Sequence, residues 1–228
     1  MTNKEKHQEL LKEFYSKYEP ILNETKEFVF DGPSNWELYE NSTVKIMFLV
    51  KESRNGYHPS VPNQKTNTKF MRNLARWKCL INDVYLVKSE FEFPSNSDLP
   101  ETIDDVAIVE VKKINVENIT SNQKDLRKFA LNDKLFLQRQ IDIINPQIIV
   151  CCYTIDCFNI IFDNKFEVSK RLFKKDGTSS AEVDKRLIID FFHPSTWGFG
   201  DPGPRDKELY KLLTEILLDN STQNFIKS

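Results

Sequence analysis

The segment Arg186-Leu187-Ile188-Ile189-Asp190-Phe191-Phe192-His193-Pro194-Ser195 decides the reading of this chain. A mostly apolar run of strand length ends in a histidine, a proline and a serine. In open α/β sheets ligands bind outside the carboxyl ends of the strands, so this run sets His193 where a site is expected. A second run, Val44-Lys45-Ile46-Met47-Phe48-Leu49-Val50, opens into the polar cluster Lys51-Glu52-Ser53-Arg54-Asn55-Gly56. Two chemically equipped loops are therefore expected to meet at one edge of one sheet.

Outward from these runs, the chain alternates strand and helix patterns. Leu10, Leu11, Phe14, Tyr15 and Tyr18 recur at a helical period over residues 4–22, and the pattern stops before Pro20. Asp31-Gly32-Pro33-Ser34-Asn35 reads as a loop. Phe70, Leu74, Trp77 and Ile81 line one face of a predicted helix over 70–81, and Val106 to Val111 follows as a strand. Leu126, Phe129 and Ala130, then Leu137, Ile141 and Ile144, predict helix from about Asn122 to Ile144 with a break near Asn132. After the stop at Asn145-Pro146 come a strand at Gln147–Cys152, a helix at Thr154–Phe162, the strand Arg186–Phe191 and a helix at Asp206–Leu218. Asn220 to Ser228 reads as a frayed tail. The alternation predicts a three-layer α/β domain with a short, mostly parallel four-stranded sheet and helices on both faces. Residues 1–228 read as a single domain, with 1–40 an N-terminal helical extension and 41–218 the α/β core.

With 228 residues and a formal charge of −2, the chain can bury a sizeable core. Its charge excludes a strongly basic, histone-like nucleic-acid binder but not a local basic groove. No run has the length of a membrane span and the charged start lacks a leader pattern, so a cytoplasmic protein with no membrane partner is expected. Cys79, Cys151, Cys152 and Cys157 form no CxxC pair and read as reduced core residues. Among the three histidines there is no HExxH, so neither a metal nor another cofactor is expected. Neither GxxxxGK[ST] nor GxSxG occurs, which argues against a P-loop nucleotide hydrolase and an α/β-hydrolase.

In order along the chain, Val50-Lys51-Glu52-Ser53-Arg54-Asn55, Asn145-Pro146-Gln147-Ile148-Ile149-Val150-Cys151 and His193-Pro194-Ser195-Thr196-Trp197 resemble the uracil-DNA glycosylase superfamily. There the first strand ends in a water-activating loop, the third is entered through x-P-x-I-I-V, and the last ends in HPS followed by a wedge residue. The resemblance spans residues 44–218. It implies hydrolysis of the N-glycosidic bond of a base flipped out of duplex or single-stranded DNA, with no protein partner specified. Glu52 and His193 are the implied catalytic pair, Ser53, Phe70, Glu110 and Ser195 the substrate contacts, and Arg54, Lys112, Lys113 and Trp197 the DNA contacts. The first motif here lacks the family's proline and glycine, and Glu110 stands where the family carries an asparagine that reads uracil.

The chemistry fits these residue types. Departure of a base leaves oxocarbenium-like positive charge on the sugar and sends negative charge onto the base. A carboxylate near the sugar and a donor at the base divide the work, as Glu52 and a neutral His193 would. Phe70 would stack on the flipped base, and Trp197 would fill the space it leaves. An ionised Glu110 accepts hydrogen bonds only, so it favours an amino-bearing or modified base over a uracil carbonyl.

Each residue also has a structural reading. Glu52 would pair with Lys51 or Arg54, Glu110 with Lys112 or Lys113, and Phe70 and Trp197 would pack in the core. Lys170, Arg171, Lys174 and Lys175 read either as phosphate contacts or as a solvated face. His58-Pro59-Ser60 reads as a loop, and Tyr153-Thr154 as a helix start able to approach a phosphate. Two other functions stay open: a non-catalytic member of the fold that binds nucleic acid or protein, and a small-molecule N-glycoside hydrolase.

Overall fold

A computed structural model of the chain describes residues 1–24, 26–52, 65–66, 68–88, 90–116, 122–163, 180–195 and 202–227. Its strands are β1 (Lys26–Phe28), β2 (Gly32–Pro33), β3 (Ile46–Val50), β4 (Ala107–Glu110), β5 (Ile114–Val116), β6 (Ile148–Cys152), β7 (Ser180–Val183) and β8 (Arg186–Phe191). Its helices are α1 (Asn3–Tyr18), α2 (Trp36–Glu40), α3 (Lys69–Tyr85), α4 (Gln123–Asn132), α5 (Lys134–Ile144), α6 (Ile155–Phe162), α7 (Pro202–Leu218) and α8 (Asn220–Lys227). A single 3₁₀ turn, Glu19–Ile21, follows α1.

The main sheet runs β2-β4-β3-β6-β8-β7. Its centre, β4-β3-β6-β8, is parallel, with Phe48 opposite Ile108, Leu49 opposite Cys151 and Cys152 opposite Phe191. These four strands are the ones the sequence predicts, but among the described residues the sheet has six strands, not four. Antiparallel β2 and β7 close its two edges. Gly32-Pro33 carries a residue without an N–H, which a sheet accepts at an edge. β7 and β8 form a hairpin whose two loop residues, Asp184 and Lys185, have φ of 50° and 63°, the conformation of a tight two-residue turn. β1 and β5 make a separate antiparallel ribbon.

Central parallel strands are covered on both faces, and they read as nearly continuous apolar runs for that reason. Alternation sends Ile46, Phe48, Val50, Ile108, Val150, Cys152, Ile189 and Phe191 to a core they share with α3 and α7. Met47, Leu49, Ala107, Val109, Ile149, Cys151 and Ile188 enter a second core with α1, α4, α5 and α6. Trp77 of α3 is fully buried and stands edge-on to Phe191, ring centroids 4.8 Å apart. α1 belongs to this packing, since His7, Leu10, Leu11, Phe14 and Tyr18 are all buried, and a capping box between Thr2 and Glu5 starts the helix.

The predicted break near Asn132 is present. α4 stops there and α5 resumes at Lys134, while the intervening Asp133 is fully buried and accepts from the Tyr18 hydroxyl and Lys17 Nζ. The tail differs from expectation. α8 is a helix, tied to β7 by a buried 2.7 Å hydrogen bond between the Ser180 and Thr222 hydroxyls. Among the described residues no helix is long and apolar enough to cross a membrane.

Candidate functional site

Topology creates a crevice at the carboxyl edge of the sheet. β3 is followed by α3 on one face, and neighbouring β6 by α6 on the other, so the chain leaves two adjacent parallel strands in opposite directions. Such a switch point opens a cleft. Across it the strand ends present Lys112 after β4, Lys51 and Glu52 after β3, Tyr153 after β6 and His193 after β8. Glu52 and His193 thus leave the same edge, on strands two inter-strand spacings, or about 10 Å, apart.

His193 is held from several sides. Its ring lies 5.9 Å, centroid to centroid, from Phe70 at the start of α3, where Thr68 caps the helix by accepting from Met71 N. The Ser195 backbone N–H donates to His193 Nδ1 at 3.2 Å. A neutral imidazole that accepts at Nδ1 carries its proton on Nε2. Asn73 of α3, 2 % exposed, donates through Nδ2 to the Pro194 carbonyl at 2.8 Å and to Asp206 at 3.3 Å. Its Oδ1 accepts from buried Arg76, whose guanidinium also reaches Asn96 and the Pro94 carbonyl and lies over the Phe93 ring. Desolvation lowers the pKa of Arg76. Sequence reading missed Asn73 and Arg76. They sit among the apolar residues of α3, and an internal asparagine and arginine on a core-facing helix are the sign that was available.

At the β3 end, Lys112 Nζ lies 3.2 Å from Glu52 Oε2, and both side chains are nearly inaccessible to solvent. Lys112 also lies over the Phe129 ring. Lys112, expected to contact DNA, is instead buried at 5 % exposure with its ammonium against Glu52. Glu110 is 1 % exposed and shares by alternation the sheet face of Ile108 and α3, the face on which Phe70 meets His193.

Lys113 requires a correction. It is fully buried and pairs with Asp31, which is also fully buried. Asp31 further accepts from the Glu110 backbone N–H at 2.6 Å and from Gln140 Nε2 at 2.7 Å, and Gln140 contacts His7. Lys113 is an internal strut with no surface to offer a phosphate. Ser53, Arg54, Trp197, His58-Pro59-Ser60 and the basic segment from Lys170 to Lys175 lie outside the described residues.

Asp190 at this edge escaped the sequence reading, and Tyr153 entered it only as part of a helix start able to approach a phosphate. Asp190, 7 % exposed, faces α6, and its pKa is pushed up to about 7, first by desolvation and then by the Asp156 carboxylate. Tyr153 is 49 % exposed and sits in the left-handed region at φ 63°. Cys151 and Cys152 are fully buried, with thiol pKa values raised by desolvation, and Cys157 is pushed up to about 12 by the same cause. Such thiols are core residues, not nucleophiles. Among the described residues no three His, Cys, Asp or Glu side chains are grouped to hold a metal ion.

The fold and this edge define a mixed α/β protein with a switch-point cleft that carries a carboxylate, a histidine and aromatic rings. Compared with protein-family models and with curated proteins, the chain shows no match.

Proposed function

We propose that this protein hydrolyses the N-glycosidic bond of a base flipped out of DNA, in the manner of the glycosylase superfamily its motifs resemble. The observation that carries the reading is the 3.2 Å hydrogen bond from Ser195 N to His193 Nδ1. In the neutral ring this bond leaves the proton on Nε2, and the ring lies beside that of Phe70. A neutral imidazole in this tautomer donates to the negative charge that gathers on a departing base.

Glu52 takes the other half of the work, orienting a water toward the sugar or stabilising the cation that forms there, with Lys112 holding its carboxylate in place. Phe70 stacks on the flipped base. Glu110, on the same sheet face, accepts from an exocyclic amine, so an amino-bearing or modified base is preferred to uracil. The step needs only water, and the protein works in the cytoplasm, a setting consistent with its four free cysteines. The reading is tested by incubating the protein with oligonucleotides that carry single candidate bases and scoring abasic sites. Release of an amino-bearing base supports it, and intact strands throughout overturn it.

A further inference from the structure

Tyr153 stands at the centre of the cleft, because strand order places the end of β6 between the ends of β3 and β8. Its backbone N–H donates to the Cys151 carbonyl at 2.9 Å and to the Phe191 carbonyl at 2.7 Å, while its own carbonyl accepts from Gln123 at 3.0 Å. These bonds hold the residue at φ 63°, a conformation costly for a bulky side chain and usual for glycine. The backbone has no evident need of an aromatic ring at this point. Nor does the core, since the side chain stays half exposed. Lys51 Nζ lies 4.5 Å from the ring centroid, so a cation sits against the aromatic surface of this half-exposed side chain. Strain held at a ligand edge by a residue that the fold alone would not select is an indication of use.

We propose that Tyr153, backed by Lys51, is a stacking platform for the base of a single-stranded nucleotide flanking the one that enters between Glu52 and His193. The proposal rests on the reading of this edge as a nucleotide site. A planar base matches a half-exposed ring, and the ammonium beside it suits the adjoining phosphate. Such stacking tolerates any base sequence, because every base has a π-face.

The test is fluorescence anisotropy with labelled oligo-dT and with a strand of equal length made wholly of abasic residues, at low salt. Tyr153→Leu should weaken oligo-dT binding about tenfold or more, and Tyr153→Phe should stay within about twofold of the native protein. On the abasic strand all three proteins should bind alike. Tyr153→Gly should melt no lower than the native protein, because glycine relieves the positive φ, and this separates lost stacking from lost folding. Native-like binding by Tyr153→Leu overturns the proposal, as does a Tyr153→Phe variant as weak as Tyr153→Leu, or no oligo-dT binding by the native protein. Excision assays on the same samples keep the two claims apart. Ring-dependent binding without excision removes the glycosylase reading alone, and excision with ring-independent binding removes the platform alone.

Discussion

At His193 the proposed chemistry depends on which ring nitrogen carries the proton, and the loop that sets this is itself held by Asn73 through the Pro194 carbonyl. Asn73→Ala leaves that buried carbonyl without its donor, which costs about 1–3 kcal/mol of local stability. Turnover should then fall with little change in KM, and the His193 ring resonances should shift in an NMR titration. Unchanged turnover and resonances would show that Asn73 does not position the loop. Two other residues set the response to pH. Burial lowers His7 from 6.5 to about 4. The unfolded chain therefore takes up a proton between those values that the folded protein refuses, and stability falls as pH drops through this window. Asp190 acts in the opposite sense. Its folded pKa of about 7, against 3.8 unfolded, contributes stability that is fully present below 3.8 and lost as pH rises through 7. Asp190→Asn removes the second trend. The variant should exceed the native protein by on the order of 3 kcal/mol at pH 8 and grow more stable from pH 4 to 6.5. Urea unfolding across pH checks this, and equal stability at pH 8 would contradict it.

Among the elements, Asp31 shows how a single carboxylate stitches distant segments together. It binds the backbone of β4, Lys113 beyond β4 and Gln140 of α5, while Gln140 in turn meets His7 of α1. Asp31→Ala strands a buried ammonium and should cost about 3–5 kcal/mol in chemical denaturation. A loss below 1 kcal/mol would mean that the pair is not internal. The same contact explains what the sequence hid. A Lys-Lys pair after a strand reads as exposed charge, because the partner that draws Lys113 inward lies 82 positions away. The central strands and the α4/α5 break were legible, since burial on both faces writes continuous apolar runs and Asn132-Asp133 interrupts the helical period. The edges were not. β2 is two residues long, the β7/β8 turn uses Asp184-Lys185 in place of a glycine pair, and α8 is anchored through Thr222, a contact only the folded chain supplies. At the site, His193 and Glu52 were legible from their place at strand ends. Asn73 and Arg76 were not, because their roles arise from tertiary partners, and Tyr153 was legible only as part of a helix start, not as a half-exposed ring at a positive φ.

Across the whole molecule, four parallel strands flanked by helices bring every loop that follows a central strand to one edge, and the switch between β3 and β6 opens that edge into a cleft. A fold of this kind serves many functions, so the function must be argued from the residues at the edge. The most direct measurement is single-turnover excision from oligonucleotides bearing one uracil, cytosine or modified cytosine, with abasic sites revealed by alkali. Native protein should release an amino-bearing base faster than uracil, and His193→Ala should lower that rate by about 10²–10⁴ while DNA binding persists. Faster release of uracil would overturn the reading of Glu110 alone. No abasic site on any strand, or a His193→Ala variant as fast as the native protein, would contradict the glycosylase account.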